Sequence, residues 1–138
     1  MSLWSLKRLT ISPFMIVLAE KTDRSPRITY HATRLEILGR SYMNNSVDFY
    51  KDIIAKLEAL VSKSIDVRIA LDYFNTSSSK CLLELFKMLE TKSTFGTKVN
   101  IRWEYSPKYY DMLEAGEDYR DILEGVNFEI VEISEYNV

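Results

Sequence analysis

The sequence predicts an α/β fold in which a mixed β-sheet carries its helices mainly on one face. Two observations predict it. Stretches of strict apolar–polar alternation, at 65–73 and 97–105, trade places along the chain with stretches whose apolar residues recur every three or four positions. The alternation also gives each strand one oily and one wet side, so helices are required over the oily side alone. With 138 residues the chain can bury a real core. It is read as one domain over residues 1–138, with residues 1–13 as an N-terminal extension.

The elements follow in order. Residues 14–20 and 27–38 read as extended segments, the second folded at a turn at Thr33–Arg34. "GRSYMNNS" reads as a turn ending in the helix-capping residues Asn44, Asn45 and Ser46. Tyr50, Ile53, Ile54, Leu57, Leu60 and Val61 then repeat at helical spacing. In the next strand Ile65, Val67, Ile69, Leu71 and Tyr73 share the oily side, opposite Asp66, Arg68, Ala70 and Asp72. Leu82, Leu85, Phe86 and Leu89 mark a second helix. Val99, Ile101, Trp103 and Tyr105 alternate with Asn100, Arg102 and Glu104. Residues 109–124 form a third helix, with a break expected at Gly116 and a stop at Gly125. Phe128, Ile130 and Ile133 belong to a last strand, giving the order β-β-β-α-β-α-β-α-β.

Composition narrows the function. Hydrophobic residues make up 46% and charged residues 28%, ordinary values for a soluble globular chain. Net charge is −2, yet residues 103–138 hold 10 acids against 2 bases. An acidic end repels phosphate backbones, so nucleic acid is excluded as a partner. No run approaches the roughly 18 apolar residues of a membrane span, and no membrane partner is expected. Lys7 and Arg8 precede "LTISPFMIVLA", but Thr10, Ser12 and Pro13 interrupt that run. It reads as an N-terminal strand and not as a targeting segment. The single cysteine, Cys81, allows no internal disulfide and fits a reducing compartment.

No catalytic or cofactor motif is present: the sequence lacks GxGxxG, a P-loop, GxSxG and HExxH. His31 is the only histidine and has no carboxylates at ligand spacing, so no metal is expected. Cys81 reads as a small core residue. The acids Asp111, Glu114, Glu117, Asp118 and Asp121 read as a hydrated helix face.

One stretch stands apart. "YFNTSSSK", residues 73–80, lies where a strand passes to a helix. Asn75 or Thr76 can cap that helix, and the remaining hydroxyls fall in its first turn. That turn normally gathers acids, because its free N–H groups carry about half a positive charge. Here Lys80 follows instead, and the first acid is Glu84. Unpaired amides, hydroxyls and an ammonium suit an anion, either bound as a free phosphate or esterified to one hydroxyl. The same turn is also satisfied by a plain serine-rich helix start in which Lys80 pairs with Glu84.

"GRSYMNNSVDFY", "DYFNTSSSK", "VNIRWEY" and "DMLEAGEDYRDI" together resemble the SiaC-type regulatory phosphoproteins, whose domain is like that of STAS anti-sigma-factor antagonists. The resemblance runs from about residue 18 to 133. It implies a STAS-like domain in a bacterial, cytoplasmic switch protein that is not an enzyme and needs no cofactor. It further implies phosphorylation by a cognate Ser/Thr protein kinase and dephosphorylation by a PP2C-type phosphatase. The unmodified form is implied to act on a diguanylate cyclase, in c-di-GMP signalling that bears on biofilm growth. Carried onto this sequence, the acceptor falls on Thr76, with Asn75, Ser77, Ser78, Ser79 and Lys80 as neighbours. Asp72 and Arg102 are candidate partner contacts. A phosphate on Thr76 is expected to receive the amides of residues 77–79. The competing reading is a small anion- or phosphate-binding module with no covalent modification.

Overall fold

The computed structural model describes residues 15–134. The reading of residues 1–14 therefore lies outside the described residues. Among the described residues nine elements follow one another: β1 (Ile16–Ala19), β2 (Arg27–His31), β3 (Arg34–Ser41), α1 (Ser46–Glu58), β4 (Ser64–Phe74), α2 (Thr76–Thr94), β5 (Lys98–Tyr105), α3 (Tyr110–Ile122) and β6 (Asn127–Glu132). The expected element order holds.

The strands form one sheet in sequence order, β1-β2-β3-β4-β5-β6. The first three pair antiparallel, and β3 to β6 pair parallel. Every helix thus crosses between neighbouring parallel strands and always advances the same way. Right-handed crossovers of that kind put all three helices on one face. The core lies between them and the sheet. Leu35, Ile37, Ile65, Ile69 and Ile101 meet Tyr50, Ile53 and Leu57 of α1 and Leu82, Leu85, Phe86 and Leu89 of α2.

The other face is a polar ladder. Arg68 Nε donates to Glu104 at 3.0 Å and its Nη1 to Glu36 at 3.2 Å, while Arg102 Nε reaches the second oxygen of Glu104 at 2.9 Å. Asn100 joins Asp66, and Asn127 joins Asn100. The wet side is not uniformly wet, however: Ala70 is fully buried and Glu104 nearly so. Two arginines clamp Glu104, which is how a carboxylate tolerates burial there.

Three local expectations change. The β2–β3 turn sits at Ala32–Thr33, one residue early, with Ala32 at φ 57°. Residues 39–41 of "GRSYMNNS" finish β3, so only Tyr42–Asn45 form the connection to α1. The third helix does not break at Gly116. It runs unbroken past that glycine, which is buried against Trp103. A Cβ at 116 would lie 2.6 Å from Trp103 Cδ1, so the glycine serves close packing. Gly125, at φ 77°, does follow the helix end, two residues after Leu123.

The fourth change bears on the site. Gly39 pairs with Leu71, but Arg40 pairs with Tyr73, so β4 contains one extra residue, Asp72. A bulge inverts the alternation beyond it. Tyr73, expected on the oily side, is turned out beside Arg40 and is 52% exposed, edge-on to Tyr42. Phe74 is turned inward instead and meets Trp103 edge-on at 6.1 Å. The bulge sets the direction in which the chain leaves the sheet for α2.

Candidate functional site

The end of β4 is tied to its neighbour before α2 begins: Asn75 N–H donates to the Ser41 carbonyl at 3.0 Å. Asn75 is extended, at φ −89° and ψ 175°, and its side chain accepts from the Ser78 amide at 2.8 Å. Its carbonyl accepts from the Ser79 amide at 2.9 Å. The helix cap is therefore the asparagine, and none of the four hydroxyls is needed for it. The first turn of α2 contains no acid.

Three of the four hydroxyls are spent inside the protein. Ser78 is fully buried, and Ser41 Oγ, also fully buried, donates to it at 2.7 Å. Ser41 in turn bonds the buried Tyr50 hydroxyl at 2.7 Å. Ser41 has given its one proton to Ser78, so Tyr50 is the donor in that pair. Ser78 passes its own proton to Met43 Sδ at 3.9 Å. Ser77 bonds Ser46, the first residue of α1, whose side chain is fully buried. Tyr119 of α3 donates to the Ser79 carbonyl at 2.8 Å and, 3.1 Å away, accepts from the Ser79 hydroxyl. Burial raises the pKa of both phenols, that of Tyr119 to about 12.

Thr76 is the exception. It is exposed, and among the described residues its hydroxyl has no hydrogen-bond partner. The expected set of amides around it is smaller than three, because Asn75 already holds the N–H groups of Ser78 and Ser79. Of residues 77–79, only Ser77 keeps a spare amide. Lys80 is exposed and forms no ion pair with Glu84 or any other described acid.

The two candidate partner contacts separate. Asp72, in the bulge, lies four residues before Thr76 and pairs with Arg40 at 2.9 Å. Arg102 lies opposite Arg68 in the polar ladder. That is four residues, about 13 Å, back along the sheet from the level of Asp72. Sequence reasoning also missed a crevice between the end of β4 and the start of α3, lined from β4 by Asp72, Tyr73 and Phe74 and from the chain entering α3 by Lys108, Tyr109 and Tyr110. The bulge that exposes Tyr73 has no mark in a sequence that alternates through 73. Ser41 did leave a signal: it is a polar residue at an oily-side position of β3, in line with Leu35 and Ile37.

His31 ends β2 opposite Arg34 and is exposed. Among the described residues no group of three His, Cys, Asp or Glu side chains converges to hold a metal ion. Cys81 is buried, and burial pushes its thiol pKa up, against the helix-dipole effect. Among the described residues no helix is long and apolar enough to cross a membrane.

The family model described as SiaC family regulatory phosphoprotein matches residues 19–133. The chain belongs to the SiaC family. That membership places it among regulatory phosphoproteins and not among enzymes. An uncharacterised protein of Pseudomonas aeruginosa strain UCBPP-PA14 is 29% identical over 105 residues, covering 72% of this chain and 83% of that protein. Among solved structures, SiaC crystallised as activator with the diguanylate cyclase SiaD of Pseudomonas aeruginosa matches with a TM-score of 0.74 and 27% identity. That match covers 82% of this chain and 96% of the other. Apo-SiaC from the same organism matches in fold, with a TM-score of 0.70 at 24% identity over 86% and 97% of the two chains. The mixed six-stranded sheet with three helices is thus the SiaC fold.

Proposed function

We propose that this SiaC-family chain is a cytoplasmic, single-domain switch whose phosphoacceptor is Thr76. A partner Ser/Thr kinase adds the phosphate and a PP2C-type phosphatase removes it. The unmodified form docks on a diguanylate cyclase, as SiaC does with SiaD. The observation that carries this reading is the unspent Thr76 hydroxyl, exposed beside three serines whose hydroxyls are engaged.

In the transfer, a bond forms between Thr76 Oγ1 and the γ-phosphorus of a nucleoside triphosphate. The bond from that phosphorus to its bridging oxygen breaks. The hydroxyl proton goes to a base of the kinase, and the nucleoside diphosphate leaves. The product brings roughly −1.5 to −2 charge and three strong acceptors to the start of α2. The helix dipole and the Ser77 amide tolerate it, so the fold persists. A docked partner does not: desolvating the dianion or facing it with acids costs several kcal/mol. About 3 kcal/mol already lowers affinity by roughly two decades, enough to empty a micromolar complex. Asp72, four residues before Thr76, and the exposed Tyr73 are candidate contacts for such a partner, while Arg102 contributes only if the partner reaches onto the open sheet face.

The test is mass spectrometry of the protein recovered from its own cells, in the wild type and in Thr76→Val. A single phosphate on Thr76, lost in the variant, supports the reading. Wild-type phosphate found on a serine, or none under any condition, sinks it.

A further inference from the structure

We infer that Ser46 is a specificity-determining residue for that transfer, holding the neighbouring Ser77 hydroxyl out of the kinase's reach. The inference rests on the phosphoacceptor reading and asks what keeps the modification on one residue of four. Ser77 is the pertinent competitor, because it is exposed, adjacent to Thr76 and also a hydroxyl. Exposure alone therefore does not separate the two. Their hydrogen bonding does: Ser77 Oγ is held by Ser46 Oγ, whereas Thr76 Oγ1 has no partner among the described residues.

An acceptor hydroxyl has to point a lone pair at phosphorus and its proton at a base of the kinase. Ser77 Oγ is held toward the buried Ser46, whichever of the two donates, so Ser77 meets a kinase by rotating away from it. Ser46 is fully buried, so its hydroxyl cannot turn to water when the serine leaves. Cys81, the other group bonded to Ser46, is a weak thiol partner and buried too. Breaking the pair thus strands a buried polar group, and that penalty corresponds to roughly a ten-fold or greater preference for Thr76. Ser79 is held in the same manner but from another helix, through Tyr119. The two locks are independent, and this makes the idea testable.

The experiment uses three full-length variants recovered from the chain's own cells and mapped by tandem mass spectrometry: Thr76→Val, Thr76→Val/Ser46→Ala and Thr76→Val/Tyr119→Phe. Ser46→Ala removes one oxygen, and Tyr119→Phe keeps its ring packing, with folding checked by circular dichroism. The expected result is no phosphate above background in Thr76→Val, and at least ten-fold more at Ser77 in the Ser46→Ala double variant. The Tyr119→Phe double variant, whose turn is loosened from the opposite side, leaves Ser77 unmodified. Phosphate on Ser77 in Thr76→Val alone overturns the inference, as does an unmodified Ser77 in the Ser46→Ala variant. Equal Ser77 modification in both double variants means general loosening and overturns it as well. Wild-type protein that carries no phosphate on Thr76 fails the parent reading instead, so the two failures are told apart.

Discussion

Ser41, the last residue of β3, donates its hydroxyl proton to Ser78, in the first turn of α2, at 2.7 Å with both side chains fully buried. A second bond runs beside it, from Asn75 N–H to the Ser41 carbonyl. One residue thus fixes the start of α2 through its backbone and through its side chain, and Thr76 lies between the two anchor points. Thr76 is thus exposed on a turn that is itself held at both ends.

Ser41→Ala removes the group that Tyr50 donates to and that donates to Ser78. Tyr50 is fully buried, and its hydroxyl is left without a partner. The expected loss is about 1–3 kcal/mol of stability. Tyr50→Phe in the same background removes the stranded hydroxyl and recovers part of that loss. Urea denaturation of the two single variants and the double variant measures the coupling, and purely additive losses would contradict the hydrogen-bond chain.

Gly116→Ala gives a sharper contrast. On an exposed helix that change stabilises by roughly 1 kcal/mol. Here the new Cβ lies 2.6 Å from Cδ1 and 2.8 Å from Nε1 of Trp103. The indole cannot simply step aside, because its Nε1 donates to the Met112 carbonyl at 2.7 Å. A net destabilisation of about 1–3 kcal/mol is expected, with a change in tryptophan fluorescence in the native state. A stabilised variant would show that α3 does not pack as described.

These two glycine and serine positions show where sequence reading succeeds and where it stops. The element order, the oily faces of β4, β5 and α2, and the place of Thr76 at the start of a helix all follow from periodicity and capping chemistry. Those signals are local. A lone glycine weakens a helix, so the sequence predicts a break at Gly116, and only tertiary packing reveals that Trp103 requires it. Tyr73 followed the alternation on paper, and only the strand register shows the bulge at Asp72. The partners of the three serines come from β3, α1 and α3, and no local pattern names them. The sequence could ask why four hydroxyls stand together, but the answer lies in contacts as many as 40 residues apart.

The buried phenol of Tyr119 makes stability depend on alkaline pH. Its pKa is raised by burial from 10.0 to about 12. The neutral form is the one the folded state favours, so the contribution is fully present below pH 10 and is lost as pH rises toward 12. Tyr50 is shifted in the same direction for the same cause. Unfolding free energy is therefore expected to fall by roughly 1–3 kcal/mol across that window. Tyr119→Phe flattens the slope, and an unchanged slope in that variant would rule out Tyr119 as its source.

Thr76 variants separate docking from folding. Thr76→Val keeps the shape of the side chain and adds no charge, so cyclase binding is expected to stay within about two-fold of wild type. Thr76→Glu places a carboxylate at the first position of α2, where the turn holds no acid. The helix dipole stabilises such a charge by about 0.3–1 kcal/mol. The melting temperature is then expected to rise by roughly 1–4 °C. The same charge lies where the cyclase is proposed to dock, and affinity there is expected to fall at least about ten-fold, an outcome worth about 1.4 kcal/mol. Calorimetric titration of the purified cyclase and a thermal melt on one batch of each variant read both quantities. A Glu variant that melts higher and binds more weakly supports a switch acting at the interface. If binding weakens only in step with a lower melting temperature, the charge acts by damaging the fold, and the proposed switch at Thr76 fails.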